Sequence, residues 1–135
     1  MSGSASRGAR RLTGDPPSPW EGPYGYSRVV DLGSLVLIGG STSIDPTGVV
    51  LGETPYEQAA EILRKLLHEL ARVGLSAGDV VQTRIYLTDI ASADEVGRAH
   101  GEVFADVRPV ATMVEVSALI DPRMLVEIEL LAHRG

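Results

Sequence analysis

The chain has 135 residues and a mass of 14.3 kDa, a size that suits one domain with a real core and is too short for two comfortable ones. Apolar residues at 44% and charged residues at 22% exclude wholesale disorder, and the absence of cysteine excludes disulfides, thiolate metal sites, iron–sulfur clusters and cysteine nucleophiles. Net charge is −6, and beyond residue 20 the chain carries 9 basic against 17 acidic groups, which is a poor counterion for phosphate backbones and disfavours nucleic acid as a partner.

Residues 1–22 are rich in Gly, Ser, Arg and Pro without an apolar period, and read as a flexible arm with Trp20 docking onto a single domain over 23–135. Tyr26 to Asp31 reads as a strand, Leu32-Gly33 as a turn, and Ser34 to Gly40 as a second, more buried strand, together a β-hairpin. Asp45-Pro46-Thr47-Gly48 marks a loop from Ser41 to Glu53. Thr54-Pro55-Tyr56-Glu57 carries a cap, a proline at the first helical position and a glutamate three residues on, so a helix starts there. Ala59, Ile62, Leu63, Leu66, Leu67, Leu70 and Val73 form its apolar face, Glu61 and Lys65 pair on its wet side, and Gly74 ends it. Asp79 to Thr88 alternates as a strand. Ser92 to Glu95 suggests a second capping box, opening a helix from Ala93 to about Asp106. Val110 to Leu119 and Met124 to His133 are the last two strands, parted by Asp121-Pro122.

The order ββαβαββ gives an α+β fold with two helices on one sheet face. Val36 and Ile38 alternate with Leu35 and Leu37, so both faces of the sheet are apolar. Two helices cover one face. A homo-oligomer that buries the other is the simplest way to cover the rest. No apolar run reaches the roughly 20 residues of a membrane span and no secretory signal is visible, so a cytoplasmic protein is the expectation.

Gly25-Tyr26-Ser27, Val36 to Gly40, Asp79-Val80-Val81, Tyr86-Leu87-Thr88-Asp89, Arg108-Pro109 and Val126-Glu127-Ile128-Glu129 stand in an ordered set that resembles the Rid family, also called YjgF/YER057c/UK114 or endoribonuclease L-PSP. The resemblance covers about residues 24–133. It implies a chorismate-mutase-like fold and a homotrimer whose sheets face the centre, with a ligand cleft at each subunit interface. It also implies hydrolysis of 2-imino or enamino acids to 2-keto acids and ammonia, without a cofactor. In that pattern Tyr26 is an aromatic at the cleft, Pro109 and Thr112 match the proline and serine of a Pro-Ala-Arg-Ser motif, and Glu127 matches a glutamate that positions or activates water. The arginine of the motif, which holds the substrate carboxylate, falls on Ala111, and an asparagine of the second helix falls on Gly97. Loss of a two-pronged guanidinium grip disfavours ordinary imino-acid turnover.

The residues themselves support several roles. Glu127 and Glu129 share one strand face among apolar neighbours and are either a solvated edge or functional; the resemblance, together with burial expected to raise its pKa, makes Glu127 the candidate acid/base. Arg84 in an apolar strand is either half of a structural ion pair or a substitute anchor for an anionic ligand. His100 is either a satisfied core or interface histidine or a cleft acid/base. Thr112 and Ser41 offer hydroxyls, and Gly39-Gly40 marks a close backbone approach beside the cleft. Gly97 and Gly101, four apart in a helix, suggest close helix–sheet packing. His68 reads as packing and His133 as exposed. The three histidines have no metal-ligand spacing, so no metal is expected. The expected partner is a small imine, enamine or keto-acid-like metabolite held between subunits. A non-catalytic metabolite- or protein-binding trimer, an enzyme of one biosynthetic pathway and a ribonuclease stay open.

Overall fold

The hairpin expected near the N-terminus is the seed of one six-stranded sheet. A computed structural model describes residues 8–135. In it, β2 (Val29–Asp31) pairs antiparallel with β3 (Leu35–Ser41) in the register Val29 to Ile38. The other strands are β1 (Arg10–Leu12), β4 (Val80–Leu87), β5 (Val110–Glu115) and β6 (Val126–His133), in the spatial order β1-β2-β3-β6-β4-β5. The C-terminal strand β6 lies between β3 and β4, antiparallel to both, and β5 lies parallel to β4 at the far edge. A parallel pair needs a crossover. Helix α3 (Ala93–Phe104) provides it.

Helix α2 (Pro55–Arg72) begins as its sequence dictates. Thr54 accepts a hydrogen bond from the Glu57 amide at 3.1 Å, and the Glu57 carboxylate accepts one from the Thr54 amide at 3.2 Å. Gly74 closes it at φ 77, a conformation that costs a side-chain-bearing residue about 1 kcal/mol or more. The second expected box does not form. Ser92 Oγ donates instead to the Asp89 carbonyl at 2.6 Å, and the Asp89 carboxylate caps the short 3-10 turn Ile90–Ser92.

The core lies between α2, α3 and one face of the sheet. Ile62, Leu63, Leu66 and Leu70 of α2 meet Val36, Ile38, Ile85, Ile128 and Leu130. Each such side chain contributes about 1.5–3 kcal/mol by leaving water. The opposite face carries Leu35, Leu37, Arg84, Tyr86, Glu127, Glu129 and Leu131, none of them fully buried within one chain.

Other local expectations are also corrected. From Arg10 on, the arm is built into the fold: β1 extends the sheet, and a short helix α1 (Glu21–Tyr24) follows; residues 1–7 of that arm lie outside the described residues. The buried Glu21 carboxylate drives this ordering by accepting the Gly14 and Ser18 amides at 2.8 and 2.6 Å. His68 is half-exposed and lies 3.1 Å from Asp15 rather than in the packing. Gly97 and Gly101 have open space where a Cβ would be, so neither serves close packing within the chain. No described helix is long and apolar enough to cross a membrane.

Candidate functional site

A pocket of about 290 Å³ opens where β3 ends and β6 begins. Sheet irregularity creates it. The pairing of β3 with β6 shifts between Ile38 and Ser41, which turns the carbonyls of Gly39 and Gly40 out of the ladder. Arg28, just before β2, fills that gap. Its guanidinium donates to Gly39 O at 3.2 Å, to Gly40 O and to Ser41 Oγ at 3.3 Å, and sits 5.6 Å from the Tyr26 ring centre.

Glu127 rises from β6 into the same pocket. A Cβ on Gly40 would overlap its Oε2, so the bare backbone of Gly40 is what admits the carboxylate. Burial pushes its pKa up, Arg28 opposes that rise, and Glu129 adds to it. Lys65 enters from α2. Its ammonium donates to Thr42 O at 2.6 Å and to Ile44 O at 3.0 Å. Burial, then Arg28, lower its pKa. The wet-side pair with Glu61 expected for Lys65 is absent, because Glu61 is taken by Arg64. Trp20, Tyr24 and Ile120 supply apolar wall.

The structure brings Tyr26, Gly40 and Glu127 together around this pocket. Ser41 lies behind it, buried, donating to Gly39 O at 3.1 Å. The remaining candidates sit elsewhere in the chain. Arg84 stands half-exposed on the open sheet face, its Nη1 3.8 Å from Glu129 Oε2, and Tyr86 donates to the other oxygen of that glutamate. His100 lies on α3 with its side chain toward β4, Nε2 2.8 Å from Thr83 Oγ1 and its ring 4.7 Å from that of Phe104. Burial lowers its pKa, so the neutral imidazole dominates at neutral pH. Ala111 and Thr112 are exposed on edge strand β5, level with Thr83 and Arg84. Near them, His100, Arg108 and Pro109 border a second, shallower cavity of about 350 Å³.

Sequence reasoning missed Arg28 and Lys65. Arg28 directly follows the Gly25-Tyr26-Ser27 motif, and that was the available signal. Lys65 had none, since a lysine beside an apolar helix face ordinarily stays in water. No group of three or more His, Asp or Glu able to hold a metal occurs among the described residues.

Residues 21–134 match the family model described as Endoribonuclease L-PSP. An uncharacterized protein of Streptomyces coelicolor is 38% identical over 118 residues, 87% of this chain and 88% of the relative. The 2-iminobutanoate/2-iminopropanoate deaminase of Salmonella typhimurium is 31% identical over 113 residues, 81% of this chain and 87% of the relative. Among solved structures, a member of the YjgF/YER057c/UK114 family from Mycobacterium tuberculosis, Rv2704, superposes with a TM-score of 0.83 at 40% identity, covering 93% of this chain and 99% of that one.

Proposed function

The chain belongs to the endoribonuclease L-PSP family, also called the YjgF/YER057c/UK114 or Rid family, and from that premise we propose that it binds a small imine- or enamine-type metabolite beside Glu127 and hydrolyses it. The carrying observation is a carboxylate with a burial-raised pKa in an aromatic-walled pocket. Glu127 takes a proton from water as the water oxygen bonds to the C=N carbon. It returns that proton to nitrogen, giving the carbinolamine, then takes the hydroxyl proton and delivers it to nitrogen as the C–N bond breaks, so imine and water become carbonyl compound and ammonia.

We further propose a homotrimer with the open sheet faces at its centre. Leu35, Leu37 and Leu131 on that face are the apolar surface such an assembly would cover. Tyr26, Gly40 and Glu127 form one group of candidates, and His100, Ala111 and Thr112 another. A second copy would bring one chain's first group to its neighbour's second. Light scattering should give three times 14.3 kDa; a mass near 14.3 kDa would refute the assembly.

The test of activity generates 2-imino acids in situ with an amino-acid oxidase and traps residual imine with semicarbazide. Wild type should lower the trapped imine and Glu127→Gln should not. Unchanged turnover in Glu127→Gln would remove Glu127 from the reaction. Ala111 favours a second reading, a trimer that binds the metabolite without turning it over. Activity gained only in Ala111→Arg would support it. An acidic chain with 4% aromatic residues is poorly built to grip RNA.

A further inference from the structure

Part of the wall of the Glu127 pocket is built by chain that lies ahead of the family's own region. The family match begins at Glu21, yet Ser18 and Trp20, both before it, line the pocket. Residues 13–20 join β1 to α1 as a strap, and the strap is tied down along its length. Arg72 of α2 donates to Thr13 O at 2.8 Å, and the Asp15 amide donates to Glu69 Oε2 at 3.0 Å. The Gly14 and Ser18 amides donate to the two oxygens of Glu21. Ser18 Oγ lies 2.9 Å from Tyr26 OH, beside the pocket.

Glu21 is the fixed point of this arrangement. Its carboxylate is buried, with the Arg28 guanidinium 3.9 Å away as counter-charge. A Cβ on Gly14 would come within 3.0 Å of Glu21 Oε2 and 2.9 Å of the Pro16 carbonyl, so only a bare backbone closes this tightly around the carboxylate. A buried carboxylate is tolerated where its hydrogen-bond and charge partners are all in place. The strap supplies two of those partners, which makes it a fixed part of the pocket and not a tail passing over it. What it delivers there is the half-buried ring of Trp20. The charged groups of the pocket, Arg28, Lys65 and Glu127, all come from the family's region; the indole does not. An indole face gains most from a flat or bulky apolar group laid against it.

We propose that residues 13–20 are a specificity element of this pocket: Trp20 packs against the side chain of the bound metabolite and favours a large apolar or aromatic one, and Glu21 is the positioning residue that holds the strap in place. The proposal rests on the reading of this pocket as the ligand site. It adds which side chains the site prefers and which part of the chain decides it.

The experiment is calorimetric titration of the full chain with 2-oxobutanoate and with 4-phenyl-2-oxobutanoate, which differ only by the phenyl group. Wild type should bind the phenyl compound about tenfold more tightly. Trp20→Ala should remove most of that preference and leave the affinity for 2-oxobutanoate unchanged. Trp20→Phe, which keeps a ring, should retain the preference. Glu21→Gln should lose it with Trp20 still present, because the amide nitrogen that replaces one oxygen cannot accept a strap N–H. Thermal melts show that the variants fold, and the ratio of the two affinities does not respond to an unfolded fraction, which lowers both alike. Equal binding of the two compounds by wild type would overturn the proposal, as would an unchanged ratio in Trp20→Ala; either leaves the pocket as a ligand site. An equal loss of both compounds in Trp20→Ala would also overturn it, because Trp20 would then support the pocket without selecting. Binding of neither compound by wild type would overturn the pocket reading itself, and the strap's role with it.

Discussion

Glu127 lies directly against the backbone of Gly40, with its Oε2 in the space a Cβ would occupy. One residue's missing side chain thus sets the position of the other's carboxylate. Gly40→Ala should push Glu127 out of place and lower turnover at least tenfold, while the melting temperature changes less than for a core substitution. Steady-state assay of imine hydrolysis beside a thermal melt checks it. Full activity would mean that the carboxylate has room to work elsewhere.

The raised pKa of Glu127 has a sign in stability. Its folded value lies above the unfolded one, so between the two the native state holds more protons than the unfolded state. Stability from this group is therefore fully present below the unfolded pKa and is lost as pH rises through the folded one. Glu127→Gln should be more stable than wild type at neutral pH, and the advantage should disappear in acid. Melting temperature against pH for both proteins checks this. A constant difference across the range would contradict it.

His100 has the opposite sense. Burial depresses its pKa, so acid favours the unfolded state as pH falls below about 6.5, the ordinary histidine value. Thr83→Val removes its hydrogen-bond partner in a fully buried place and should cost about 1–3 kcal/mol at neutral pH. Denaturant melts measure the loss, and nuclear magnetic resonance of the imidazole should show it titrating below 6.5.

Arg108 holds φ 61 just after α3, in the left-handed region, where its amide donates to the Phe104 carbonyl at 2.9 Å. Glycine adopts that conformation without the Cβ penalty. Arg108→Gly should raise stability by up to about 1 kcal/mol, read as a higher denaturation midpoint. A lower midpoint would mean that the arginine side chain makes a contact worth more than the strain.

Leu66 of α2 is almost fully buried against the sheet. Leu66→Ala should cost about 2–5 kcal/mol through lost burial and the cavity left behind. A loss under 1 kcal/mol in denaturant melts would contradict a close-packed interface there.

The elements were legible because their signals are local. The Thr54/Glu57 box, the apolar positions of α2 from Ala59 to Leu70 and the alternation of β4 and β6 each depend on neighbours within a few residues, and the structure forms all of them. The ordered motifs also carried the family. Glu127 and Gly40 were found as a carboxylate among apolar strand residues and a glycine at a strand end. The second capping box failed because Ser92 Oγ donates to the Asp89 carbonyl and caps no amide of the following helix. The arm failed because Glu21 finds its partners only when residues 14–18 loop back over it.

By itself, then, the sequence determined five of the strands, the two long helices, the face that α2 buries, the family and Glu127 as a candidate. Tertiary structure alone decided the company that carboxylate keeps. Arg28 reaches the pocket because the β3–β6 register shifts and frees two carbonyls to hold it, and Lys65 reaches it because the carbonyls of Thr42 and Ile44, beyond β3, accept from its ammonium. Both cations stand far from Glu127 along the chain. Periodicity records only which way a residue faces on its own element. Which distant groups share a pocket depends on how those elements pack.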